Sequence, residues 1–345
     1  MNPLRAWNDF WFRPISARPL GAFRVAVGVL ALAHLALLTF DLDYWLTDAG
    51  LLRGDEARML AGPLRPSPLQ YVQDPVSVRL FLAATACAGV AVTVGWRTRI
   101  STILLYLGLL SLHHRNLPTN SGPDNLMLLL AFYLMLSPSG AAYSLDARKI
   151  ARKRGTAAEP IIVPWAQRLI QLHACLIYFD TAVLKCSGIS WLNGTALHYV
   201  FNNPEVAGRY DLTALTHYPV VINLLTYAGL AAEFLLAFWL WFRPTRPWVI
   251  AVGIGLHAGI LFVINVPLFG ELMVATYLTF LTPGELDTFL KAVNPLAWFR
   301  RPGEAAASPR LDPSLRFDPP ETARRRHAVA REVMMAGSAG VDDTA

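Results

Sequence analysis

The chain alternates between long apolar stretches and short segments that gather its arginines, prolines and carboxylates. Eight apolar stretches stand out, at about residues 20–40, 76–95, 99–114, 124–138, 164–184, 220–242, 247–264 and 269–282. Roughly 20 apolar residues carry an α-helix across the ~30 Å hydrocarbon core of a bilayer. The pattern therefore predicts an all-α polytopic membrane protein with about eight transmembrane helices. The third and fourth stretches are short, as in helices that tilt little or sit inside protein. Ahead of the first, three arginines surround Leu4, Trp7, Phe10 and Trp11. That is the pattern of a helix lying on the membrane surface. The run from Leu20 to Phe40 lacks the small-residue cleavage site of a signal peptide and reads as the first span.

Charge sorts the connecting segments into two kinds. On one side lie Arg5, Arg13 and Arg18, then Arg97 and Arg99, then Arg148, Lys149, Arg152, Lys153 and Arg154, then Arg243 and Arg246. On the other lie Arg53, Arg58, Arg65, Arg115, Lys185 and Arg209, offset by Asp41, Asp43, Asp48, Asp55, Glu56 and Asp74. Basic residues in short loops stay on the cytoplasmic side. The alternation thus predicts both termini in the cytoplasm and a location in the cytoplasmic (inner) cell membrane. Composition agrees: 54% of residues are hydrophobic and only 16% charged, against about 25% in soluble domains. The net charge of +6 does not point to nucleic acid, because the basic residues sit between apolar runs. Toward the C-terminus Pro, Ala, Arg and Asp take over, the composition of a disordered tail. The expected division is an interfacial segment at 1–19, a transmembrane domain at 20–285 and a cytoplasmic, mostly disordered tail at 286–345. The three cysteines form no CxxC and define no metal site.

An ionisable side chain inside a bilayer costs at least a few kcal/mol and so calls for a reason. His34, His173, Asp180, Glu233 and His257 lie within apolar stretches, and His113, His114 and Lys185 lie at the ends of the third and fifth. The predicted topology carries Asp180, Lys185, His113 and His114 toward the outer face and His257 to mid-depth or beyond, so several of these groups can converge in one outer-leaflet cavity. His34 reads as an interhelical hydrogen-bonding group, and Glu233 as the partner of a histidine or arginine on a neighbouring helix. Lys185 has two readings: a side chain snorkelling to the interface, or a general base, since a lysine withdrawn from water sheds its charge more readily. His113 and His114 are either an interfacial anchor or a proton-handling pair. The candidate catalytic set is Lys185, His113, His114 and His257, with no metal ligands assigned.

A resemblance adds to this. Tyr178, Phe179 and Lys185, followed by Trp191, Leu192, Asn193, Gly194, Thr195, Ala196 and Leu197, are similar to the HTTM (horizontally transferred transmembrane) domain, the membrane part of vitamin K-dependent gamma-glutamyl carboxylases. Glu233 matches an acidic residue in an apolar helix of that family. Arg243, Pro244, His257, Phe269 and Met273 follow at similar spacing, and the polar loop before Leu128–Phe132 is also alike. The resemblance covers roughly residues 15–285. It implies that Lys185 is the base that deprotonates reduced vitamin K. Oxygen then yields a strongly basic species that removes a glutamate gamma-proton, and carbon dioxide traps the carbanion. It implies as cofactors a reduced quinone of the vitamin K type, oxygen and carbon dioxide, and as partners the lipid bilayer, a lipid-soluble quinol and a peptide substrate. A histidine near the third and fourth spans also matters in the carboxylase, a role that His113 or His114 takes here. The carboxylase continues into a large extramembrane domain, whereas a polar tail follows here. Two other classes compete with an enzyme: a non-catalytic maturation or export partner for a secreted peptide, and a haem carrier ligated by His34, His173 or His257.

Overall fold

The computed structural model describes residues 2–72, 74–155, 159–204, 210–264 and 266–293. Residues 294–345, which hold most of the expected polar tail, lie outside them. The chain opens with helix α1 (Pro3–Phe12) and the two-residue strand β1 (Ile15–Ser16), then enters α2 (Arg18–Leu38). Two short helices follow, α3 (Leu42–Leu46) and α4 (Gly54–Ala61), and then α5 (Pro75–Val94), α6 (Thr98–Arg115), α7 (Gly122–Leu136) and α8 (Leu145–Arg154). Strand β2 (Ile161–Ile162) leads into α9 (Trp165–Cys186), the short α10 (Ile189–Leu192) and α11 (Ala196–Phe201), then α12 (Pro219–Trp239), α13 (Arg246–Val263), α14 (Phe269–Tyr277) and α15 (Pro283–Ala292).

Every apolar stretch of the sequence is helical, with ends within a few residues of those expected. Five helices, α2, α5, α9, α12 and α13, are long and apolar enough to cross a bilayer; α7 and α14, the latter extended by a 3-10 turn to Phe280, are shorter apolar helices. The outward surface fits lipid. Leu80, Leu104, Leu176, Leu224, Ile254 and Phe262 are all exposed, an apolar surface that a soluble monomer does not show. The chain is a multi-pass membrane protein. Helix α15 continues to Ala292, beyond the expected start of the tail at 286.

The helix starts are written locally. Pro75 and Pro219 occupy the first turns of α5 and α12, where a missing N–H costs nothing. The Asp74 side chain accepts the Ser77 N–H at 2.9 Å to cap α5. Gly95 closes the same helix at φ 71° and lies so close to the Arg24 guanidinium that a Cβ would overlap it.

Two ends of the bundle can be distinguished by their contacts. At the first, buried Arg24 donates to the carbonyls of Val92 (3.0 Å) and Tyr143 (2.7 Å), giving partners to groups that a helix end leaves open. Asp146 of the basic helix α8 accepts the N–H groups of Arg97 (3.0 Å) and Thr98 (2.7 Å) at the start of α6. Gln167 and Gln171, one turn apart on α9, both donate to the Thr279 carbonyl at 2.6 Å. Helix α15 ties in two helix starts through the Arg18–Asp287 and Arg246–Glu285 ion pairs. Strands β1 and β2 pair antiparallel, Ile15 with Ile162 and Ser16 with Ile161. The second end holds the connection that contains α3 and α4, and the ends of α6 and α9; the candidate residues lie toward it.

Candidate functional site

Lys185 lies in the last turn of α9. Its ammonium forms an ion pair with Glu233 of α12 and stands 4.7 Å from the ring centroid of Trp191. Glu233 was expected to pair with a histidine or arginine; a lysine on the adjacent antiparallel helix takes that place. The lysine side chain keeps 28% of its exposure and the glutamate only 7%. The second carboxylate oxygen, Oε2 of Glu233, is buried without a hydrogen-bond partner.

One face of α9 extends this pair inward. Tyr178, two turns before Lys185, shares hydrogen bonds with His257 Nε2 of α13 (2.6 Å) and with the Tyr277 hydroxyl of α14 (2.5 Å). Three helices thus meet at one buried hydroxyl. Gly253, one turn before His257, leaves the room that the Tyr277 hydroxyl occupies. Lys185 lies two turns beyond Tyr178 on α9, so the ion pair and the hydrogen-bonded trio form one unit along that helix. His257 Nδ1 is buried and unpartnered.

His113 and His114 do not join this unit. The expected convergence into one cavity gives way to separate clusters, because successive residues of a helix point about 100° apart. His113 turns into the protein toward α2 and α7, where its Nε2 faces His34 Nε2 at 3.3 Å. His114 turns the other way and contacts the Pro66 carbonyl through Nδ1 at 3.2 Å. Arg115, fully buried, donates to the Leu52 carbonyl at 2.7 Å and lies 3.6 Å from Asp48. Among the described residues no hydrogen bond, ion pair or ring contact joins His113 or His114 to Lys185 or His257. His34, His113 and Asp124 form the second cluster, with Asp124 Oδ1 3.8 Å from His34 Nδ1 and 4.0 Å from His113 Nε2. His173 bonds instead to the Tyr133 hydroxyl at 3.0 Å, and Asp180 is exposed. The three histidines considered for haem therefore each belong to a different cluster.

The candidate set omitted Glu233, Tyr178, Tyr277, His34 and Asp124. Tyr277 carries no signal in the sequence. Asp124 carries a weak one: Ser121 and Asp124 form a capping box, in which the carboxylate accepts the Ser121 N–H and hydroxyl at 2.8 Å. That box fixes the carboxylate at the start of α7, beside His113.

Comparison with known proteins identifies the scaffold. The HTTM domain matches residues 12–284, which include all of these residues. The chain belongs to the HTTM domain family. This HTTM protein is also similar to the uncharacterized protein YitO of Bacillus subtilis (strain 168), with 21% identity over 219 residues, 61% of this chain and 70% of the relative. No solved structure matches it. Lys185, Glu233, Tyr178 and His257 all fall within the HTTM domain and are brought together by α9, α12 and α13.

Proposed function

We propose that this HTTM protein is a membrane enzyme with carboxylase-like, quinol-linked chemistry, in which the Lys185–Glu233 pair handles the proton. The observation that carries this reading is the pair itself. In this reading the Lys185 ammonium first passes a proton to the Glu233 carboxylate that it touches. With the proton on Glu233, the free amine of Lys185 takes the hydroxyl proton of a quinol. The O–H bond breaks, an N–H bond forms, and the electron pair stays on the quinol oxygen beside the new ammonium. Trp191 next to Lys185 supports an aromatic substrate there, and the unpartnered Glu233 Oε2 offers an acceptor for a hydroxyl. Tyr178, His257 and Tyr277 hold the surrounding helices in register.

In this reading the eight apolar helices all cross the cytoplasmic (inner) membrane. Residues 1–19 lie on its surface, residues 20–285 form the membrane domain, and both termini are cytoplasmic. The five basic residues of α8, fastened beside the start of α6, support that orientation. Lys185 then lies near the outer face, within reach of a lipid-soluble quinol and a peptide substrate.

The test is turnover of reduced menaquinone or vitamin K under oxygen by protein purified in detergent, with and without labelled carbon dioxide and a glutamate peptide. Epoxide is expected from the wild type and not from a folded Lys185→Ala variant. Absence of epoxide from folded wild-type protein overturns the enzyme reading in favour of a maturation or export partner.

A further inference from the structure

We infer that His34, His113 and Asp124 form a binding site for a divalent first-row transition-metal ion, independent of the Lys185 unit. One ligand atom from each residue lies within 4.8 Å of the other two. A bound ion with ligand distances of about 2.1 Å sets neighbouring ligands roughly 3.0–3.4 Å apart. The separations here are 3.3 Å between the two imidazole Nε2 atoms and 4.0 Å between His113 Nε2 and Asp124 Oδ1. Asp124 Oδ1 meets His34 through the other ring nitrogen, Nδ1, at 3.8 Å, so the carboxylate has to turn toward the nitrogen that faces His113 to close the set onto an ion.

A network of hydrogen bonds alone explains the arrangement less well. Asp124 Oδ1 faces nitrogens of both imidazoles yet lies at 3.8 and 4.0 Å, outside hydrogen-bond reach of either. The capping box with Ser121 uses the other oxygen, Oδ2, and so leaves Oδ1 directed at the histidines. Each element is held in place by its own helix: α2 brings His34, α6 brings His113 and α7 brings Asp124.

A second observation points the same way. The three residues line a cavity of about 140 Å³ together with Asn116, Asn120 and Thr119. Asn116 is only 3% exposed, and its side-chain Oδ1 has no hydrogen-bond partner. A buried polar oxygen without a partner is costly; a water or hydroxide held by the ion would satisfy it. Two imidazoles and one carboxylate form the donor set that suits zinc and ferrous iron and leaves positions open to small ligands. Calcium and magnesium, which favour all-oxygen shells, are disfavoured.

The test uses full-length protein purified in detergent through a tag without histidine, stripped with chelator and titrated with Zn²⁺ and Co²⁺ against a chromophoric competitor. The expected result is about one ion per chain and visible Co²⁺ absorption bands. Affinity should fall at least about tenfold in each of His34→Gln, His113→Gln and Asp124→Asn. His173→Gln, away from the cluster, should leave it unchanged. Elution and helical content of each variant establish folding, and Asp124→Asn, the mildest change, serves if a histidine variant does not fold. Failure of folded wild-type protein to take up either ion overturns the site. Uptake that all three variants retain unchanged also overturns it, as binding elsewhere.

Discussion

Removing either partner of the Lys185–Glu233 pair should destabilise the protein, but by unequal amounts. In Lys185→Met the glutamate loses its paired cation. Its side chain is 7% exposed and Oε2 already lacks a partner, so both oxygens of a buried carboxylate are then unsatisfied. Breaking a buried pair in this way costs about 3–5 kcal/mol. In Glu233→Gln the uncompensated group is an ammonium whose side chain is 28% exposed. It keeps the face of Trp191, worth about 0.5–2 kcal/mol, and its flexible stem lets it turn toward the interface. The expected loss is about 1–2 kcal/mol. The double variant Lys185→Met/Glu233→Gln leaves no orphaned charge and should lose less than Lys185→Met alone, so the two losses are strongly sub-additive. Equilibrium unfolding in mixed micelles, followed by far-UV circular dichroism, measures all four proteins. Equal losses from the two single changes, or a double variant that loses their sum, would refute the inequality and the buried-pair account behind it.

Two further outcomes follow from other parts of the structure. Burial pushes the Asp146 carboxyl up, but the hydrogen bonds from Thr98 and Arg97 outweigh it and hold it below the usual carboxylate range. Its stabilising effect is therefore present above the unfolded value of about 3.9 and is lost as pH falls through the lower folded value. Asp146→Asn should cost about 1–2 kcal/mol at pH 7 and much less at pH 3, read from thermal melts at the two pH values. In Gly253→Ala the added Cβ overlaps the Tyr277 hydroxyl and crowds Leu236. Overpacking of this kind costs about 1–3 kcal/mol against the roughly 1 kcal/mol that alanine gains in a helix, so the melting temperature should fall. Gly259→Ala, with open space around its Cβ, should hold or raise it.

The helices were legible because lipid imposes a length, and because prolines, arginines and glycines such as Pro75, Arg97 and Gly95 mark where each begins or ends. Lys185 and His257 were legible as candidates because an ionisable group in an apolar stretch is conspicuous. Their partners were not. Glu233 lies 48 residues from Lys185, His34 lies 79 from His113, and Tyr178 lies 99 from Tyr277. No periodicity within one helix encodes which neighbour it meets. His113 and His114 looked like a unit only because they are adjacent in sequence, where a helix separates them.

The strand clip at the first end of the bundle also sets an order of events. Ile15 cannot pair until Ile162 exists, 147 residues later in the chain. At 5–20 residues per second, a ribosome needs roughly 7–30 s to supply it. The Arg18–Asp287 pair waits longer still. For that interval helix α1 is joined to the rest through α2 without this clip. Fastening the N-terminal segment to the rest is therefore a late step of biogenesis: the strand pair becomes possible only after the first four apolar helices have been made, and the Arg18–Asp287 pair only after all eight.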